Sequence, residues 1–292
     1  MSSVHRATSH FVPFALVLVV LNLTCQAHGQ AAGQKTFTSS KDAVSAFIQA
    51  VRDRDKSELI AILGPGSEQI VSSSDSVADS KARASFLTWY DEAHSLVPAR
   101  NGELTLQVGK DSWPLPIPLA KSGNGWYWDG AAGKEEILYR RIGHNELDAI
   151  SVCHGIVAAQ RDYAASGHDG RPAGSYAPRL VSEPGKQNGL YWEPQQGEPE
   201  SPAGPMLASA SAEGYDVSGK RTPYHGYYYR MLPSSSGFGF IAYPADYRAS
   251  GVMTFLVNQK GVIYQKDLGE KTAEIAQQMT TYAIDASWAP VK

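Results

Sequence analysis

Residues 226–269, GYYYRMLPSSSGFGFIAYPADYRASGVMTFLVNQKGVIYQKDLG, alternate with a period of two between short stretches of turn chemistry, and no other stretch constrains the fold as much. In the first run Tyr227, Tyr229 and Met231 fall on one face and Tyr228, Arg230 and Leu232 on the other, as a pleated strand requires. Three further runs, at 238–243, 252–258 and 262–266, are separated by Pro- and Gly-containing loops and by the tight Asn258-Gln259-Lys260-Gly261 turn. The pattern predicts four strands of one antiparallel sheet. It carries no evident reactive group.

Upstream, the period changes to that of helices. Val44, Phe47, Ile48 and Val51 form one apolar stripe behind a Ser39 or Ser40 cap. A second helix starts at Asp55, with Leu59, Ile62 and Leu63 inward and Gly64-Pro65-Gly66 as its stop. A polar loop over 72–76 leads to a third, in which Phe86, Trp89, Tyr90 and Ala93 repeat the spacing. Strands are then expected at 103–108, 115–120 and 126–128; Pro114, Pro116 and Pro118 place the middle one at a sheet edge. Residues 134–166 read as nearly continuous helix, interrupted near Gly143 and restarted with Asn145 as cap. Its second piece carries the stripe Ala149, Val152, Cys153, Ile156, Ala159 and Tyr163. Residues 167–223 hold many of the chain's 17 prolines and are expected as short extended pieces laid over the sheet, anchored by Tyr176, Leu190, Tyr191 and Trp192, with one short helix at 206–212. A last helix turns Ile275, Met279 and Tyr282 to one side. The fold class is α+β: N-terminal helices with a small curved antiparallel sheet, over residues 36–143, then a long helix, a four-stranded meander and a C-terminal helix, over 144–292.

The first 29 residues read as an export signal: His5, Arg6 and His10 precede an apolar run over 11–23, and Ala27-His28-Gly29 offers small residues for cleavage near Gly29. The run is shorter than the roughly 20 residues that cross a bilayer, so no stable membrane span is expected after its removal. Cys25 would leave with the signal unless lipidated, and Asn22-Leu23-Thr24 before it argues against lipidation. Cys153 then remains as a buried small hydrophobe in a helical stripe. The localisation expected is periplasmic or secreted. A net charge of -3 with 19% charged residues disfavours nucleic acid as a partner.

The segments WPLPIPL (113–119), AGKEEILYRRIGHNELDAI (132–150), AQRDYA (159–164) and GVMTFLVNQKGVIYQKDLG (251–269) resemble a bacterial exported family catalogued as domain of unknown function 2950. The resemblance covers essentially the whole chain beyond the signal and implies no activity, cofactor or catalytic residue. Where members can carry an acidic loop after AQRDYA, this chain has Ser166-Gly167-His168-Asp169-Gly170. The helix and meander of the C-terminal half also look like the globular head of type IV pilin-like proteins.

Candidate chemistry reduces to few groups. His144, Glu146, Asp148 and His154 lie close together, with His168 and Asp169 following. Asp148 with Ser151 and His154, and Glu146 with Ile150, do not pair a carboxylate with an imidazole at helical spacing, so no metal ligands are assigned. No G-x-S-x-G elbow, phosphate loop or dinucleotide fingerprint occurs, and no catalytic or cofactor-binding residue is assigned. Trp126, Tyr127, Trp128 and the tyrosines 224, 227, 228, 229, 243 and 247 are expected mostly as core and cross-strand partners. Arg140 and Arg141 are expected to answer a helix dipole and a nearby carboxylate. The function expected is a non-catalytic binding or assembly module of the cell envelope, its partner an envelope protein or glycan. The alternatives are a hydrolase of an envelope polymer, with its site between the halves, and small-molecule binding in the N-terminal unit.

Overall fold

A computed structural model describes residues 30–216, 222–234 and 237–292; the expected export signal lies outside them. Helix α1 (Ser40–Asp53) begins where the Ser39 hydroxyl accepts the Asp42 N–H at 3.1 Å, and it buries Ala43, Val44, Phe47, Ile48 and Val51. Helix α2 (Lys56–Leu63) is capped by Asp55, which accepts the Glu58 N–H at 2.9 Å, and stops at Gly64. After the single turn α3 (Glu68–Val71) comes α4 (Ser76–Glu92), capped by Asp75. These helices cover an antiparallel sheet of β1 (His94–Pro98), β2 (Leu104–Val108), β3 (Trp113–Pro114), β4 (Leu119–Ser122) and β5 (Gly125–Trp128), in the order β1-β2-β4-β5 with β3 beside β2. Trp128 ties sheet to helix: fully buried, it donates its indole N–H to Ala43 O at 3.0 Å.

The strand expected over 115–120 starts only at Leu119. Leu115 N–H still reaches Leu106 O at 2.8 Å, but Pro116 and Pro118 on either side of Ile117 supply no donors, so the chain leaves the ladder and re-enters as β4. Strand β1, not foreseen, pairs along its length with β2.

Helix α5 (Gly130–Ala165) is 36 residues long, about 54 Å at 1.5 Å per residue, and runs without the break expected at Gly143. A glycine there costs about 1 kcal/mol against alanine, and packing on both sides outweighs it. Before it, Ile137 joins the N-terminal core of Phe47, Ile62, Leu106 and Trp128; after it, Ala149, Cys153 and Ile156 join the C-terminal core. Asn145 is therefore no cap. Buried inside the helix, it donates its side-chain N–H to Ser250 O at 2.8 Å, while Glu146 accepts the Val252 and Met253 N–H groups, both at 2.9 Å. Near its start α5 passes so close to the segment between β3 and β4 that a Cβ on Gly133 would lie 2.7 Å from Ile117 Cγ1.

The C-terminal sheet joins β6 (Tyr227–Leu232), β7 (Gly239–Pro244), β8 (Met253–Asn258), β9 (Tyr264–Asp267) and β10 (Ala289–Pro290) in the order β10-β9-β8-β7-β6, all antiparallel. The first four are the expected meander; β10 adds a fifth strand at the edge. Alternation sends Phe240, Phe255 and Val257 toward α5, and Ile241, Tyr243 and Leu256 toward α7 (Thr272–Gln278). The last helix is shorter than expected. Arg230 reaches across to Ala276 O and Met279 O at 2.6 and 2.7 Å, satisfying carbonyls at its end, and Met279 and Tyr282 pack beyond it in the same apolar layer. Residues 167–216 lie over α5 as extended pieces, with Leu190 buried and Tyr176, Tyr191 and Trp192 packed beside it, and include α6 (Gly204–Ala212). Among the described residues no helix is long and apolar enough to cross a membrane.

The two glycines of α5 give opposite tests of its continuity. Gly143 has open space where a Cβ would go, so Gly143→Ala should raise stability by about 0.5–1 kcal/mol in denaturant unfolding. Gly133→Ala should lower it by about 1–3 kcal/mol, through the clash with Ile117.

Candidate functional site

Between the two halves lies a cleft of about 690 Å³. One wall is α4, where Ala78, Ala82, Phe86 and Trp89 recur at helical spacing along the cleft. None of the residues of α4 is buried. The floor is the N-terminal core, through Phe47, Val51, Leu59, Leu63 and Ile117. The second wall is one face of α5, with Ile137, Arg140, Arg141 and His144 at i, i+3, i+4 and i+7. Glu213, Tyr215 and His225 close the end from the C-terminal half.

That end is a connected polar network built on Asp75, which is only 3% exposed. One carboxylate oxygen caps α4 through the Ala78 N–H at 2.9 Å; the other accepts the Tyr215 hydroxyl at 2.9 Å and the Gly226 N–H at 3.0 Å. The capped helix end thereby fixes the loop before β6. There His225 has φ 51, and a Cβ on Gly226 would lie 2.3 Å from the Asn145 side-chain nitrogen, so only glycine fits. A histidine in the left-handed region is strained, and such residues gather at sites whose surroundings hold them.

The His225 ring is set between two carboxylates. Nδ1 faces Asp148 Oδ2 in a very short contact, and Nε2 lies 3.1 Å from Glu213 Oε2. His144, one turn before Asp148 on α5, brings its Nε2 to 3.4 Å from the same Asp148 oxygen. The three donor atoms of His144, Asp148 and His225 lie within 4.8 Å of one another. Lys81 on α4 reaches Glu213 at 3.4 Å, and the Tyr224 hydroxyl donates to it at the same distance. Burial is the largest single influence on the Glu213 carboxyl and pushes its pKa up, but His225 and Lys81 together hold it below its usual value. Burial, reinforced by Asp75, raises the Tyr215 phenol; burial and Glu213 push Tyr224 up to about 12.

Arg141 is the cation of the wall that lacks a carboxylate partner within 4 Å among the described residues. It donates to Gln69 O at 2.7 Å and Ile70 O at 3.5 Å, in the last turn of α3. Arg140 instead pairs with Glu136. Arg140 finds the expected carboxylate, but neither arginine lies at the end of its own helix, because α5 runs on through Gly143; Arg141 answers the end of α3 instead. Burial lowers the Arg141 pKa, opposed by Asp79 and Asp246, yet a guanidinium stays charged at any working pH. Asp79 is occupied by the N–H and hydroxyl of Ser73, both at 2.8 Å.

The other groups weighed in the sequence have structural duties. Glu146 holds the start of β8, His168 stacks on Tyr163, and Asp169 accepts the Gln187 N–H at 2.8 Å. His154 is exposed on α5. Trp128, Tyr227 and Tyr243 are core. Sequence reasoning passed over the pairing of His144 with Asp148, although a spacing of four was in plain view; His225 and Glu213 carry no local signal that would join them to it.

The architecture is that of an α+β protein in two packed halves, with a cleft between them. The chain belongs to the family described as Protein of unknown function (DUF2950), whose model matches residues 34–236 and 234–291. No curated protein and no solved structure matches it significantly, so the pilin-head likeness gains no support from solved folds.

Asp75→Ala removes a cap and two further hydrogen bonds to a buried carboxylate, and should cost about 2–4 kcal/mol in chemical denaturation. The raised phenols predict alkaline behaviour as well. Their contribution is fully present below pH 10.0 and is lost as pH rises through their folded values, first that of Tyr224 at about 12. Phenolate absorbance of Tyr215 and Tyr224 should therefore lag that of exposed tyrosines and appear together with unfolding. Cys153, whose thiol burial pushes up to about 12, should resist alkylation near neutral pH until denaturant is added.

Proposed function

We propose that this chain is an exported, non-catalytic binding module of the cell envelope, and that its cleft takes a small amphipathic molecule with an apolar body and a carboxylate head. The observation that carries the reading is α4, a helix with no buried residue, whose Ala78, Ala82, Phe86 and Trp89 line a cleft where a packed core would otherwise lie. A volume of about 690 Å³ lies within the range of roughly 300–1,000 Å³ of small-molecule sites, and an apolar lining with few polar groups is their usual composition. The head group is argued from charge. Asp75, Asp79 and Glu213 are engaged by protein donors, whereas Arg141 donates only to carbonyls and retains N–H groups for a planar anion. Export is supported by the apolar run at 11–23 and the small residues near Gly29.

The test is titration with a fluorescent polyene fatty acid and with its alcohol. The acid should bind saturably, one per chain, and more tightly than the alcohol. Arg141→Gln should weaken the acid by about tenfold, as expected for one charge-assisted contact, and leave the alcohol unchanged. Ala82→Trp, which fills the cleft, should abolish both. Absence of saturable binding would overturn the reading; equal affinity for acid and alcohol would overturn the head-group assignment.

A further inference from the structure

We infer that His144, Asp148 and His225 form a site for a late first-row divalent cation, zinc being the natural occupant for two imidazoles and a carboxylate. Ligands about 2.0–2.1 Å from a tetrahedral ion stand about 3.3 Å apart. His144 Nε2 and Asp148 Oδ2 already have that spacing, at 3.4 Å. Their pairing at i, i+4 on a packed helix makes half of the site rigid. The His225 ring has to withdraw from its short contact with Asp148 to admit the ion, and Glu213 on its far side, 3.1 Å from Nε2, has to follow it.

The surroundings of His225 are what such a ligand needs. A metal-bound imidazole donates its other N–H to a carboxylate, which fixes the tautomer and the ring plane. Glu213 occupies that place, with Oε2 3.1 Å from His225 Nε2, and Lys81 and Tyr224 orient Glu213 in turn. The Tyr215 ring stacks on the imidazole at 5.7 Å between centroids, and Tyr224 meets it edge-on at 4.2 Å. The left-handed backbone at His225, held by Asp75 and Asn145, aims the ring at α5. A bound ion would pin the loop before β6 to the middle of the long helix, at the point where the two halves meet.

Zinc competition with a chromophoric chelator, on chelator-stripped protein, tests this. One zinc per chain is expected. His144→Ala should weaken it by more than about 100-fold and Glu213→Gln by about 10–100-fold, the range for an outer carboxylate. Because the His144 side chain is 75% exposed, that variant keeps the fold; His225→Asn, which tolerates the left-handed backbone, is the second probe and should also lose the ion. Cobalt substitution should give the intense visible bands of a tetrahedral site, lost in both histidine variants. Affinity unchanged in His144→Ala and His225→Asn, or no stoichiometric zinc, would overturn the inference and leave His225 as a hydrogen-bonded bridge between two carboxylates. None of these readouts depends on a ligand in the cleft.

Discussion

One buried carboxylate, Asp75, carries the junction on which the rest of this structure depends. Its two oxygens serve a helix end beside it and, 140 and 151 residues further along the chain, a phenol and a backbone amide. A carboxylate removed from water loses hydration that only a full set of donors can replace. Here the set comes from α4, from Tyr215 and from Gly226, so the burial of one group requires three segments to be in place at once. That coupling joins an N-terminal helix layer to a C-terminal sheet, where each has its own apolar core.

The unbroken α5 supplies the second constraint. Arg141 and His144 share a face only if the helix keeps its phase through Gly143; a break there would turn the cleft wall away from the residues around Asp148. Packing at both ends outweighs the weak local propensity between them, so tertiary contacts, and not the local sequence, decide the length of this helix.

This explains what the sequence could disclose. The meander, the caps Ser39 and Asp55, the buried Cys153 and the anchors Leu190 and Trp192 were legible because period, cap chemistry and apolar spacing are local properties. Gly143 misled, because local propensity favours a break that packing suppresses. The His144–Asp148 pair was legible, because an imidazole and a carboxylate four residues apart on a helix lie on one face. His225 was illegible: its neighbours Asp148 and Glu213 come from α5 and from the turn after α6, and nothing in a Tyr-rich strand flank announces them. The role of Asp75 lay hidden for the same reason, since a polar loop ahead of a helix predicts a cap and not a bridge between halves.

The cleft persists because α4 is anchored at both ends and meets the N-terminal core between them through a few side chains, Phe86, Leu87 and Tyr90, none of them fully buried. Asp75 fixes the first turn; at the other end Arg52 pairs with Asp91, and the Gly109 N–H reaches Trp89 O at 3.0 Å and Ala93 O at 2.8 Å. Between these anchors the first three turns of the cleft-facing side are small, with Ala78, Ala82 and Ser85, and Phe86 beyond them reaches over to Phe47, edge-on at 6.0 Å. Large apolar residues at those positions would let the helix close on α1 and bury about 25 cal/mol of favourable transfer free energy per Å². Alanine and serine forgo that closure while the two ends keep the wall standing. A space maintained by its frame, with its own lining too short to fill it, is open to an occupant that supplies the missing apolar surface.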